Sequence, residues 1–568
     1  MKILDLNNLS TKHAKLLDHI SRTLIDDFHK LIEEIYSHTD GKIDWLVNSL
    51  LSRHNYLSGI YLDLCYVELV KEISRNEIVD VLVCKTYAQG KVINEYFSSI
   101  SKEIKIIHSG TARHNIIELI KPIRHFLKNV RTSIIFLINK KKERKNIILN
   151  MNDLILIDMF FIPSMFSSGV YNNRYYPGIS EHIPLNERKK LFYVPNIQIN
   201  YKLGKVLKIS DAASDQFLYK LDFLTIYDYL FSLLSPFRIK KINLNSFSFK
   251  DVKIGAILKQ DFIKNIANPS SFSAILNYLF FKRLKQYNVS LKYVINWFEN
   301  QVIDRGFNKG KNVYFPSVPS LGYQGFITSY DFEFQLQPTQ LEYKLGVLPQ
   351  KIAVVGKKLK KCVKKYCSSI KVVEAPAFRM ANVYNDIQLR KNDILEKVIL
   401  VILPISIKYS MDILELLFEF LNKQNNQNIE WMIKPHPSSN IKKINKHIEK
   451  SKFQIKIVNS NLLNLFEKTD LVVGNTSSVL TESIAYGIPV IIIGSRNSLT
   501  QNPIPESVSD KIWSLCYNVE EFNVSLNRFL TSSTDKVKKE RVKIGKQIRA
   551  DFFEPVTEEG VCQFLNLI

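Results

Sequence analysis

From Leu4 to about Ile73 apolar residues recur every three or four positions, as in Leu24, Ile25, Phe28, Leu31, Ile32 and Ile35. That period predicts an all-helical N-terminal segment over residues 1–75. The pattern then shortens: Val79 to Cys84, Ile104 to His108, Ser133 to Ile138, Leu154 to Ile157 and Ile352 to Val355 are β-rich runs separated by helical stretches. Such alternation predicts a parallel sheet covered by helices in a domain over residues 76–375. Between Leu191 and Asn312 the pattern leaves the strand order open.

The last third is more regular. Lys397 to Leu403 (KVILVIL) is a strand, Met411 to Leu421 an amphipathic helix, Glu430 to Ile433 a strand and Ile441 to Ile448 a helix. Phe453 to Val458, Asp470 to Val473 and Ile488 to Ile493 continue as strands, with helices at Leu462 to Lys468 and Ser477 to Tyr486. Near-continuous Val/Ile/Leu strands mean burial on both faces, so residues 376–535 predict a doubly wound, Rossmann-like domain. Glu374-Ala375-Pro376-Ala377-Phe378-Arg379 reads as the crossing between the halves, because proline holds its predecessor extended. Residues 536–568 read as a C-terminal helix packing back across the domains.

In open α/β sheets ligands bind beyond the carboxyl ends of the strands, which singles out two turns. Lys434-Pro435-His436-Pro437 follows one strand. Its two prolines hold an ammonium and an imidazole at the sheet edge with little freedom to lose, a donor pair suited to phosphate. Gly474-Asn475-Thr476-Ser477-Ser478 follows another strand and opens a helix. Glycine permits the tight turn, hydroxyls cap the helix, and the free N–H groups of its first turn attract an anion. Glu482, one turn deeper, is placed to accept hydrogen bonds from ribose hydroxyls. Plain capping by Ser and Thr is the competing reading.

Composition narrows the class. The chain has 568 residues, 46% hydrophobic and 23% charged, enough for two or three domains. Its six cysteines form no Cys-x-x-Cys or Cys/His cluster, which excludes a zinc ribbon or disulfide scaffold and points to a reducing compartment. Met1 to Arg22 is unlike a secretory leader, and no apolar run reaches the ~18 residues of a membrane span. The expected location is cytoplasmic, or peripheral at the inner face of the plasma membrane. A net charge of +24, from 78 Lys and Arg against 54 Asp and Glu, calls for an anionic partner: nucleic acid, a membrane surface or a phosphorylated substrate. Aromatic residues do not interleave with the lysines as a single-strand platform requires, so nucleic acid is not expected.

Together, Lys434 to Pro437 and Asn475 to Val490 (NTSSVLTESIAYGIPV) resemble the donor half of GT-B glycosyltransferases. More narrowly they resemble the bacterial sialyltransferases and Kdo transferases of capsule and lipopolysaccharide synthesis. The resemblance implies an α/β, GT-B fold: two Rossmann-like domains facing a cleft, the first for the acceptor, the second for the nucleotide sugar. It implies that His436, Ser477 and Ser478 contact the phosphate of a CMP-sugar, that Glu482 holds the ribose, and that Ser406 and Thr476 belong to the same pocket. Arg379, at the crossing, would add positive charge to the leaving phosphate.

The N-terminal half carries a polar and aromatic stretch, Trp297 to Gly306, followed by Tyr314-Phe315-Pro316 and Leu321 to Phe326. Rings beside carboxylates and amides suit a sugar-binding wall. Glu299 and Asp304 are the candidates for the catalytic carboxylate, with Asp158 and His182 further acceptor-side candidates. The resulting expectation is transfer of a CMP-linked Kdo or sialic-acid-like sugar to a surface polysaccharide or lipid-linked glycan, with contact to an anionic membrane. No Asp-x-Asp is present, so metal independence and the absence of a cofactor are expected. A CDP-glycerol-type phosphotransferase and a non-hydrolysing UDP-sugar 2-epimerase share these features, and a basic nucleic-acid scaffold is the alternative of another class.

Overall fold

The computed structural model describes the chain except residues 1, 109–111, 163–164, 166–170, 198–202, 214–215, 386, 388–395, 424–427, 452 and 532–533. Its first sheet is small. Strands β1 (Ile3–Asp5), β2 (Val81–Cys84) and β3 (Lys105–His108) pair in parallel in that order, with helices Thr11–Thr23, Ile25–Ser37 and Ile60–Asn76 between the first two. The N-terminal segment is therefore not all-helical. It forms a separate α/β module that takes Val79 to Cys84 and Ile104 to His108 away from the sheet predicted to follow. The run Ser133 to Ile138 is not a strand either, but the end of the helix Ala112–Ile138.

The second sheet contains β4 (Leu154–Phe161) and β5 (Leu191–Ile197) and, after a hairpin of β6 (Ser248–Phe249) and β7 (Val252–Lys253), β8 (Leu291–Trp297), β9 (Ser320–Gln324), β10 (Lys351–Val354) and β11 (Lys371–Glu374). Its order is β11-β10-β9-β8-β4-β5, parallel throughout. Helix Val302–Tyr314 leaves the carboxyl end of β8 and lies tightly on helix Pro269–Gln286. A Cβ at Gly306 would sit 2.0 Å from the Ala274 carbonyl oxygen, so only glycine allows this approach.

The third sheet contains β12 (Lys397–Leu403), β13 (Ile429–Pro435), β14 (Lys456–Ile457), β15 (Leu471–Gly474), β16 (Val490–Ile493) and β17 (Trp513–Cys516). Its order, β14-β13-β12-β15-β16-β17, is that of a doubly wound dinucleotide-binding sheet, with the switch point between β12 and β15. The sequence of β12 explains its central place: Val398, Leu400 and Ile402 enter the core on one face, Ile399, Val401 and Leu403 the core on the other. A strand apolar on both faces is stable only between two helix layers.

The modules are tied together. Helices Asp535–Phe552 and Glu558–Phe564 return to the second sheet, where Glu554 N–H donates to the Val355 carbonyl at 2.6 Å and the Phe564 ring lies 5.1 Å from Tyr323. The N-terminal module touches both larger domains. Asp18 accepts from Thr500 N–H at 2.8 Å and from Tyr517 O–H at 2.6 Å, while Arg53 pairs with Glu342 at 2.7 Å. Among the described residues no helix is long and apolar enough to cross a membrane.

Candidate functional site

The carboxyl ends of the second and third sheets border one cleft of about 750 Å³. On the third-sheet side Pro404 and Ile405 follow β12, His436 and Pro437 follow β13, and Thr476, Ser477 and Ser478 follow β15. These turns flank the switch point, where strand order reverses and the helices on either side diverge. The imidazole and the serine pair thus share a single cavity, and Lys434 and Glu482 line it too.

Local bonding sets each group. His436 Nδ1 accepts the Ser438 N–H at 3.0 Å, and Ser439 Oγ donates to the His436 carbonyl at 2.7 Å, so the post-strand turn closes on itself. Lys434 Nζ donates to the Ser460 carbonyl at 2.7 Å. Asn475, buried, donates to the Tyr409 carbonyl at 3.1 Å and anchors the hydroxyl loop to the neighbouring helix. That loop differs from the predicted one. The helix runs Val479–Ala485 and Ser478 makes no side-chain cap; Ser477 Oγ instead accepts the Val479 N–H at 3.3 Å, and Ser478 Oγ donates to Glu482 Oε1 at 3.3 Å.

The second sheet faces these groups with Glu299, just past β8. Its carboxylate accepts from Trp297 Nε1 at 2.8 Å and from the Gln301 amide. Glu333 and Thr328 line the same wall, hydrogen-bonded to each other. Arg379, from the crossing segment, lines the cleft between the halves, its guanidinium 5.6 Å from the Trp297 ring centre. Arg174 joins from a loop shaped by Asn173, whose Oδ1 accepts the N–H groups of Tyr175 and Tyr176. Tyr56 reaches the cleft from the N-terminal module.

Burial, assisted by Arg174 and Arg379, pushes the His436 imidazole down to about 4. The ring is neutral near pH 7, and with Nδ1 accepting, its proton sits on Nε2. Burial pushes the Glu482 carboxyl up to about 7 against Arg379 and the Ser478 hydroxyl. Glu333 is likewise pushed up to about 7, by burial with the Glu299 charge adding to it. Burial also raises Glu299 against its two side-chain hydrogen bonds and Arg379. Cations and three reluctant carboxyls in one cavity can take an anion and hold or accept a proton.

Four expected residues are placed elsewhere. Asp304 does not line the cleft: it closes the capping box of helix Val302–Tyr314, accepting the N–H groups of Gln301 and Glu299 at 3.0 Å each. Ser406 only precedes the helix after β12, its carbonyl accepting from Ser410, while Pro404 and Ile405 take the cleft position. Asp158 is buried within β4, bonded to Asn296 Nδ2 at 3.0 Å and paired with Lys220 at 3.5 Å. His182 ends the turn Ile179–His182, outside the cleft lining. The expected aromatic wall is mostly core. Trp297 and Tyr323 are buried, and Phe326 alone of Leu321 to Phe326 lines the cleft. Arg174, Glu333 and Tyr56 were not singled out. Arg174, beside the Pro177-Gly178 turn, had a local signal; Glu333 had none.

No protein-family model and no curated protein matches the chain. Among solved structures it is similar to S. aureus MnaA, solved with UDP, at 14% identity and TM-score 0.41, covering 74% of this chain and 98% of that one. A glycosyltransferase from Rickettsia africae gives 14% and 0.41 over 73% and 97%, and Acinetobacter baumannii MurG 10% and 0.38 over 73% and 100%. The fold rests on the two sheet orders themselves: two Rossmann-like domains meeting at one cleft are the GT-B arrangement.

Proposed function

We propose that the protein is a glycosyltransferase that moves a sugar from a nucleotide-activated donor to a glycan acceptor. One observation carries the reading: His436 and the Thr476-Ser477-Ser478 loop line the same cleft as Glu299, from opposite domains. The donor phosphate would lie on the third-sheet side, receiving the Nε2–H of neutral His436 and the hydroxyls of Ser477 and Ser478, with Lys434, Arg379 and Arg174 opposing its charge. As the glycosidic C–O bond breaks, negative charge grows on that phosphate, where fixed donors lower the barrier. Glu299, across the cleft, would take the proton of the attacking acceptor hydroxyl. Its raised affinity for a proton suits that task.

The two motifs favour a CMP-linked Kdo or sialic-acid-like donor, transfer without a metal, and a bacterial surface polysaccharide or lipid-linked glycan as acceptor. The excess of lysine and arginine fits work at the anionic inner face of a membrane. Thermal-shift screening against CMP, CDP, UDP and GDP tests the nucleotide: stabilisation by CMP or CDP that His436→Ala abolishes is expected. Stabilisation by UDP alone would exclude the CMP donor, and isomerisation of a UDP-sugar without acceptor would replace transfer with epimerisation. Transfer lost in EDTA and restored by Mg²⁺ would end the metal-free reading.

A further inference from the structure

A second cavity, of about 360 Å³, lies against the first. Tyr56 lines both, and Gln301 in its wall donates to Glu299 in the cleft. It opens beyond the carboxyl ends of β4 and β5, where Phe160, Asn196 and Ile197 line it. Helix Ala112–Ile138 covers it with Lys121, His125 and Lys128, spaced i, i+4 and i+7 and so on one face of the helix. Among the described residues lining it there is no Asp or Glu. Asn196, 8% exposed, lines both this cavity and a smaller one beside it, its Oδ1 accepting from Lys220 Nζ at 3.4 Å.

We propose that this cavity binds a phosphoryl group carried by the acceptor, holding the acceptor's hydroxyl toward Glu299; as an acceptor subsite it rests on the transfer reading above. Two ammonium groups, an imidazole and four amides, with no carboxylate among the described lining residues, match a phosphate dianion better than a neutral sugar. The same helix offers a source for that phosphate. Ile120, Ile123, Leu127 and Ile134 are exposed along it, a stripe suited to the acyl region of a bilayer beside a headgroup phosphate. A soluble phosphorylated glycan presents the same chemistry.

The test uses the full chain carrying His436→Ala, which removes one of the cleft's phosphate donors, titrated with inorganic phosphate by calorimetry. Adding Lys121→Gln and Lys128→Gln should weaken the remaining binding by about tenfold or more. Unchanged phosphate affinity in a variant that melts like its parent overturns the site. If the pair melts early, Lys121→Gln alone should give an intermediate loss, and no loss there overturns it equally. Flotation with phosphatidic acid vesicles, set against phosphatidylcholine, separates the sources. Capture that the glutamines abolish supports a lipid-borne phosphate, and phosphate binding without capture supports a soluble one. Nucleotide binding by Lys121→Gln, Lys128→Gln protein with His436 intact reads the cleft separately, so either proposal can fail alone.

Discussion

The Nδ1 atom of His436 accepts the backbone N–H of Ser438 at 3.0 Å, which leaves Nε2 as the ring's donor inside the cleft. Because burial depresses the ring to about 4, it stays neutral across the range in which an exposed histidine titrates. His436→Ala should lower kcat/KM about 10²–10³-fold, the cost of one fixed donor to a developing anion. The pH profile between 5 and 8 should carry no inflection from this ring. NMR titration of the free protein should place its midpoint near 4; a midpoint near 6.5 would mean that the imidazole is not enclosed as described.

Glu299 is held by Trp297 and Gln301, so replacing it with glutamine keeps the shape and removes the proposed base. Glu299→Gln should cut kcat about 10²–10⁴-fold and leave nucleotide affinity unchanged. Asp304→Asn should instead lower the melting temperature, since Asp304 caps a helix, and leave the pH profile as it is. A kcat loss at Asp304 without a change in melting would reverse these roles.

Glu482 makes a pH prediction of defined sign. Its carboxyl titrates near 4.5 when unperturbed and near 7 in the fold. Between those values the native state holds a proton the unfolded chain has released, so stability falls as pH rises and the penalty is complete above 7. Glu482→Gln should therefore melt higher than the wild type at pH 8, by up to about 3 kcal/mol, and equally near pH 4. Nucleotide affinity should fall about tenfold in the same variant if the carboxylate accepts ribose hydroxyls. Stabilisation without loss of affinity would take Glu482 out of the binding site.

What the sequence disclosed follows from which physical signals are local. In β12 burial on both faces writes itself as KVILVIL, and the turns after β13 and β15 are punctuated by Pro435, Pro437 and Gly474. The donor-side loops were legible for that reason. Strand β1 was not, because three residues pair with Val81 to Val83 across more than seventy positions of mostly helical chain. The run Ser133 to Ile138 looks like a strand since five consecutive apolar residues carry no period, yet Ile134 is an exposed position of a helix. Asp304 looked catalytic because an acid at the third position of a helix is the same letter whether it caps or reacts. Glu333 reaches the cleft only through the chain's path after β9, which no pattern in its neighbours encodes.

Glu342 joins the N-terminal module to the helix behind Glu299, and its loss should be felt in both. Its carboxylate accepts from Arg53 at 2.7 Å, from Arg305, from Asn300 at 3.2 Å and from the Thr339 N–H at 2.9 Å, all buried. Burial alone would raise it, but the two guanidiniums and the backbone donor outweigh that and hold it below its ordinary 4.5. This stability is present above 4.5 and lost as pH falls through the lower native value. Glu342→Gln leaves two buried guanidiniums without their counter-charge and should cost about 3–5 kcal/mol at pH 7. The difference from the wild type should shrink on acidification, because the wild-type carboxyl is then protonated too. Arg305 lies on the helix that Asp304 caps next to Glu299, so kcat should drop in Glu342→Gln at temperatures where the variant is still folded. Denaturant unfolding at pH 7 and pH 4 with single-turnover assays checks both effects; a variant as stable as the wild type at pH 7 would mean that this charge cluster does not join the modules.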